Sequence, residues 1–163
     1  LSNKFPLPLE IVKKNLTLRP CNFPSDFIID NYCIFHNPPS YIIHDKELID
    51  LGNRKIQVLH TPGHSPGHCC FYEQERGFLY SGDLIYSGCL DAFYPTTNPV
   101  DFMNSVKSIQ KLNIKKILPG HHLLNINPKL VNNVSDAFSY LYTQNGLVQG
   151  SGVFSFSDFQ IHI

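Results

Sequence analysis

The sequence predicts an α/β fold, because strand-like and helix-like stretches alternate along the chain. Four apolar or alternating runs have the pattern of β-strands, at residues 55–60, 69–72, 78–80 and 114–118. Two longer stretches carry apolar residues at helical spacing, at 98–112 and 128–142. A length of 163 residues suits one domain, 1–163. The pattern therefore favours the α/β class, or the related α+β class, in a single domain.

Both helices have recognisable start signals. Asn98 is a suitable N-cap, Pro99 suits the first helical position, and Asp101 adds a negative charge to the first turn. The apolar residues that follow at helical spacing are Phe102, Val106, Ile109 and Leu112. The second helix is predicted to begin at Pro128 and to end near residues 145–146, where Asn and Gly favour a helix end.

The two ends of the chain have weaker patterns. Residues 8–14 could form a short helix with a proline near its start. Residues 16–45 are broken by four prolines, which predicts short strands and loops. The tail, 153–163, alternates in polarity and predicts a final hairpin.

Charge, hydropathy and cysteine content indicate the kinds of partner and the cellular compartment that the sequence favours. Thirteen basic residues balance thirteen acidic ones, so no net field favours nucleic acid or an anionic membrane. None of the apolar runs approaches the length of a membrane span, and the first residues do not resemble a signal peptide. The five cysteines form no CxxC motif and are odd in number, which indicates reduced thiols. A cytoplasmic protein with a small-molecule substrate is expected, and the sequence leaves a homo-oligomer open.

Three strand ends each deliver a histidine or an aspartate beside glycine. The segments are TPGHSPGH at 61–68, SGD at 81–83 and PGHH at 119–122. A rigid Pro/Gly-rich backbone fixes an imidazole or carboxylate, and small neighbours leave room for an ion and a substrate. Because strand ends gather at one edge of a sheet, the three segments predict a metal site assembled from loops at that edge.

These segments, in this order, resemble those of the metallo-β-lactamase superfamily. The resemblance implies an αβ/βα sandwich with metals at one edge of two facing sheets. By motif position it implies that His64, Asp83 and His121 are metal ligands, with Asp83 bridging two ions. It also implies zinc, as one or two ions, although another divalent metal would suit the same donors.

Other residues near these motifs have less specific roles. His68 and His122 are expected to support the ligands by hydrogen bonding, and His122 competes with His121 for the ligand position. Tyr86 and Tyr94 follow the Asp83 loop and could line a substrate pocket, although packing of an ordinary loop explains them equally well. No catalytic residue is assigned beyond the metal ligands.

The resemblance implies hydrolysis, in which a metal-bound hydroxide attacks a thioester or an ester. The TPGHSPGH loop looks most like the glyoxalase II and acyl-thioesterase branches. Only about forty residues follow His121, which suits a small acyl-CoA thioesterase better than glyoxalase II, a protein with an extra helical domain.

One hallmark of the superfamily, an HxHxDH stretch upstream of the loop that holds His64, is absent from these 163 residues. The expectation is that the chain corresponds to the C-terminal part of the fold. A degenerate or truncated member that acts as a non-catalytic interaction or scaffold module is the alternative to an enzyme.

Overall fold

The computed structural model describes residues 25–28 and 39–163. The chain divides into two compact units, residues 1–42 and 43–163, and the strands and helices given below lie in the second. The predicted helix at 8–14 and most of the strand and loop region at 16–45 lie outside the described residues. The expectation of one domain over 1–163 stays a prediction.

The larger sheet has five strands in the order β1-β2-β3-β4-β6. These are β1 (Leu48–Asp50), β2 (Lys55–His60), β3 (Cys69–Glu73), β4 (Phe78–Gly82) and β6 (Lys116–Pro119). Neighbours are antiparallel except β4 and β6, which run parallel. The four predicted strand runs are thus confirmed, the last with its start two residues later. The carboxyl ends of the parallel pair β4 and β6 lie at the same edge, which brings SGD next to PGHH.

A smaller sheet has three strands in the order β5-β8-β7. They are β5 (Cys89–Asp91), β7 (Val153–Ser155) and β8 (Gln160–His162). β7 and β8 are antiparallel, which confirms the predicted C-terminal hairpin, and β8 runs parallel to β5. This pairing places Asp91 opposite His162, and it brings the end of the chain beside the loop that follows Tyr86.

Two helices pack together against these sheets. Helix α1 spans Pro99–Ile109, and the Asn98 side chain accepts hydrogen bonds from two amides of the first turn, as predicted for an N-cap. Helix α2 spans Leu130–Thr143, two residues later than the predicted start. It ends where expected: Asn145 has a positive φ of 55°, and the Gly146 amide donates to the Leu141 carbonyl at 2.7 Å.

One hydrophobic core is shared by both sheets and both helices. Buried members come from each of them: Leu79, Ile117, Leu90, Ile161, Phe102, Val106, Val134 and Phe138. The Phe102 and Phe138 rings stack at a centroid distance of 5.0 Å, which joins α1 to α2. Neither α1 nor α2, nor any other helix within residues 25–28 and 39–163, combines the length and the hydropathy that a membrane span requires.

A buried carboxylate is satisfied on the larger sheet. The Glu73 side chain is 2% exposed and accepts two hydrogen bonds from Arg54, at 3.0 and 2.6 Å. Arg76 adds a third contact at 3.2 Å. The hydrogen bonds from Arg54 lower the pKa of Glu73 below its ordinary value.

Helix α1 fixes the loop that connects β2 and β3. The Ser105 hydroxyl donates to the Pro62 carbonyl at 2.6 Å, and the Asn98 amide donates to the Gly63 carbonyl at 2.8 Å. Gly63 has a φ of 138°, and a Cβ on it would lie 2.3 Å from the Phe102 Cα. Only glycine permits this close approach, so the fold sets the position of the next residue, His64.

Candidate metal centre

Asp83 lies between two histidines that come from different loops. Its Oδ2 is 3.5 Å from the His64 Nε2, and its Oδ1 is 2.9 Å from the His121 Nε2. The Asp83 side chain is 31% exposed. Thus the structure brings together the three residues that the motifs predict as ligands, with one carboxylate oxygen toward each histidine.

The tautomer of His64 can be deduced from its second ring nitrogen. Nδ1 lies 3.1 Å from the Asp91 carbonyl oxygen, which can only accept a hydrogen bond. A proton on Nδ1 therefore leaves the lone pair of Nε2 directed toward Asp83 in the neutral ring. Ligating histidines are held in this way by a hydrogen bond from the ring nitrogen that does not bind the ion.

His121 is held at the end of β6 by the parallel pairing with β4. Pro119 lies in register with Gly82, and the Gly120 amide donates to the Gly82 carbonyl at 2.9 Å. This hydrogen bond joins the loop of Asp83 to the loop of His121. The His121 side chain is 65% exposed, so its ring faces open space beside the carboxylate.

His68 holds the backbone of Asp83. Its Nε2 accepts a hydrogen bond from the Asp83 amide at 3.0 Å, and its Nδ1 lies 3.1 Å from the Thr61 carbonyl. These two contacts require a proton on Nδ1 and none on Nε2, which is the neutral ring. Burial lowers the pKa of His68 and favours the same state.

Gly82 leaves space for the hydrogen bond between the His68 ring and the Asp83 amide. It has a positive φ of 52°, and a Cβ on it would lie 2.7 Å from the His68 Nε2. The glycine of the SGD segment therefore leaves room for the histidine that supports its neighbour Asp83. The expected supporting role of His68 stays a prediction, and these contacts favour it.

The remaining predicted residues lie near the histidine pair. The His122 ring stacks on Tyr86, with centroids 5.2 Å apart. Tyr86 is 4% exposed and its hydroxyl donates to the Cys89 carbonyl, so the structure places it under the histidines rather than on an open pocket wall. Tyr94 is half-buried against Phe93, with ring centroids 4.1 Å apart.

A cavity of about 370 Å³ lies beside this loop region. It is lined by Ser87, Leu123, Asn125, Ile126, Asn127, Lys129, Leu130, Asn133 and Asp158. Ser87 and Leu123 directly follow Tyr86 and His122 in the sequence. Tyr86 and Tyr94, for which a place in a pocket wall and ordinary loop packing were both open, are not among its lining residues.

The donor set has the chemistry of a divalent metal site, but it is not gathered into a cage. Two ligands of a tetrahedral zinc lie about 3.3 Å apart, given bonds of roughly 2.0–2.1 Å. The contact between His64 and Asp83 is close to this separation, at 3.5 Å, whereas the 2.9 Å contact of His121 is a direct hydrogen-bond length. Within residues 25–28 and 39–163, no group of three or more His, Cys, Asp or Glu side chains is arranged to hold an ion. His64, Asp83 and His121 suit a divalent metal by residue type, and Asp83 contacts each of the two histidines.

Two contributions to the site were not predicted. Thr61 is fully buried and binds His68, a role that its place in TPGH could have indicated. The Asp91 carbonyl orients His64 across a separation of 27 residues. A backbone carbonyl leaves no trace in sequence patterns, so that contact depends on the tertiary fold alone.

This chain belongs to the metallo-beta-lactamase superfamily, whose family model matches residues 22–121. The α/β fold seen here covers part of that fold. A metallo-beta-lactamase family protein from Thermus thermophilus superposes with a TM-score of 0.55 at 24% identity, over 67% of this chain and 38% of that one. The metallo-beta-lactamase IND-7 superposes with a TM-score of 0.53 at 16% identity, over 63% of this chain and 49% of that one.

Among curated relatives, the chain is similar to acyl-coenzyme A thioesterase MBLAC2 of Homo sapiens, with 36% identity over 87 residues. That match covers 51% of this chain and 31% of the relative. A probable hydroxyacylglutathione hydrolase of Schizosaccharomyces pombe is 32% identical over 111 residues, which are 64% of this chain and 43% of the relative. The chain thus spans about a third of the thioesterase's length.

Proposed function

We propose that this chain contributes to the metal centre of a zinc-dependent hydrolase that cleaves a thioester or an ester. The observation that carries the proposal is the placement of Asp83, whose two carboxylate oxygens face one histidine each. A carboxylate that offers one oxygen to each of two imidazoles suits a bridging ligand. The preference for a thioester draws on the relatives, whose names specify acyl-coenzyme A and hydroxyacylglutathione as substrates.

His64, Asp83 and His121 would hold the metal. When bound, zinc would lower the pKa of water toward neutrality and polarise the substrate carbonyl. The chain's own residues contribute orientation: the Asp91 carbonyl keeps the proton of His64 on Nδ1, and His68 fixes the amide of Asp83. A small-molecule substrate and a cytoplasmic location belong to the same proposal.

The test is metal content together with hydrolysis, measured on the full 163-residue chain. After dialysis without chelator, we expect zinc by plasma mass spectrometry and turnover of an acyl-CoA panel. His64→Ala, Asp83→Ala and His121→Ala should each lose most of both. His44→Ala is the matched control, because this exposed histidine lies outside the site. Undiminished metal and turnover in all three variants would refute the assignment.

A second candidate function is a non-catalytic interaction or scaffold module. It is favoured by two observations: the described residues hold no three-donor cage, and HxHxDH is absent from the sequence. In that case the purified chain would bind no zinc, and its residual hydrolysis would not change in Asp83→Ala. The same two measurements therefore separate the candidates.

A further inference from the structure

Tyr86 is a buried ring that contacts both histidines at the end of β6. It lies on the loop that carries Asp83, and its hydroxyl is held by the Cys89 carbonyl. Its ring centroid is 5.2 Å from that of His122, with the planes 24° apart. It is 6.1 Å from the ring of His121, edge to face at 75°. One fixed aromatic side chain thus packs against two histidines from another loop.

The backbone of His122 adopts an uncommon conformation that helps to place its ring. Its φ is 63°, in the left-handed region that non-glycine residues seldom adopt, although histidine does so more often than most. Such a conformation persists where the surrounding contacts enforce it. Gly88 leaves space for the His122 ring, because a Cβ on Gly88 would lie 2.8 Å from the His122 Nε2.

His121 needs such a support, because its own side chain is mostly in solvent. At 65% exposure, an unrestrained histidine would populate several rotamers. Its Nε2 instead lies 2.9 Å from the Asp83 Oδ1, and its ring forms a T-shaped contact with the ring of Tyr86. The ring of the next residue, His122, stacks on the same tyrosine.

From these contacts we infer that Tyr86 and His122 are positioning residues that hold the His121 ring against Asp83. Neither needs to touch the substrate. The consequence for metal affinity rests on the proposed function, whereas the orientation of the ring is a property of the chain itself. The two can be measured separately.

The first measurement reports the ring orientation without metal. The sample is the chelator-treated full chain labelled with ¹³C-histidine. The two three-bond couplings between the Hα proton and the Hβ protons of His121 should be unequal, as for a single χ1 rotamer at about 180° or −60°. Tyr86→Phe keeps the ring and should keep them unequal. Tyr86→Leu removes the ring, and the couplings should average. Unequal couplings that persist in Tyr86→Leu, with native circular dichroism, would overturn the inference.

His122→Asn provides a second route that does not disturb the buried tyrosine. Asparagine tolerates the left-handed backbone but cannot stack on Tyr86, so the couplings of His121 should average in this variant too. His44→Asn makes the same chemical change at an exposed site and should leave them as in the parent. Couplings that stay unequal in His122→Asn would remove His122 from the inference.

The second measurement is the dissociation constant for Co²⁺, from visible absorption during titration. Removing residues that orient a ligand typically weakens metal affinity about 10–100-fold. We expect that loss in Tyr86→Leu and His122→Asn, and less than about threefold in Tyr86→Phe. If the parent binds Co²⁺ and Tyr86→Leu binds it equally well, the inference fails and the metal centre stands. If the parent binds none, the metal centre fails, and the couplings alone decide the inference.

Discussion

Replacing Gly63 by alanine tests how helix α1 fixes the loop that carries His64. The added Cβ would lie 2.3 Å from the Cα of Phe102 and 2.4 Å from its amide nitrogen. Both are backbone atoms in the first turn of α1, so no flexible side chain can move aside. The residue also has a φ of 138°, which an L side chain rarely adopts.

The expected loss of stability is the sum of two terms. A positive φ costs a residue with a Cβ about 1–2 kcal/mol. Overpacking against a fixed backbone adds roughly 1–3 kcal/mol. Gly63→Ala should therefore lower the free energy of unfolding by about 2–5 kcal/mol, which corresponds to a fall in Tm of roughly 4–20 °C.

Gly52→Ala is the matched control, because it separates the two terms. Gly52 also has a positive φ, 87°, but a Cβ there would meet no atom within 4 Å. It should show only the conformational penalty, about 1–2 kcal/mol. Urea unfolding followed by circular dichroism would measure both variants. If Gly63→Ala is no more destabilising than Gly52→Ala, the close approach of α1 does not constrain this loop.

Three further predictions concern other parts of the same unit. His68→Leu should weaken Co²⁺ binding about 10–100-fold in a titration. His68→Gln should weaken it less, because the glutamine amide oxygen can accept the hydrogen bond from the Asp83 amide. Equal losses in the two variants would show that this hydrogen bond is not the cause. Hydrogen bonds from Arg54 lower the pKa of Glu73 in the folded chain. The ionised Glu73 therefore stabilises the fold above the ordinary pKa of glutamate, and this stabilisation is lost as pH falls through the lowered pKa of the folded chain. Urea midpoints measured from pH 6 down to pH 3 should therefore fall less steeply in Glu73→Gln, and parallel curves would contradict this. Asn98→Ala should cost about 0.5–2 kcal/mol through loss of the N-cap of α1, measured by urea unfolding, and an unchanged midpoint would exclude capping.

The elements that sequence reasoning found are those with long or strong local patterns. Strand β2 and the start of α1 follow from periodicity, proline and a capping residue, which act within a few positions along the chain. Helix α2 was predicted from its periodicity, but it begins two residues after Pro128 and has no side-chain cap. Strands β1 and β5 have three residues each and no such pattern, so they were not predicted. Their pairing depends on partners that only the folded chain brings alongside.

At the site, sequence alone determined which residues have metal-binding chemistry. The three Gly-flanked segments predict a metal site, because imidazole and carboxylate beside glycine at strand ends is a local signal. Their resemblance to the superfamily's motifs implies His64, Asp83 and His121 as its ligands, which stays a prediction. Tertiary structure alone decided that both oxygens of Asp83 face a histidine, and that Tyr86 lies beneath His122 instead of lining the described cavity. These contacts join residues far apart in the chain, and their geometry is set by strand register and core packing, which no local pattern records.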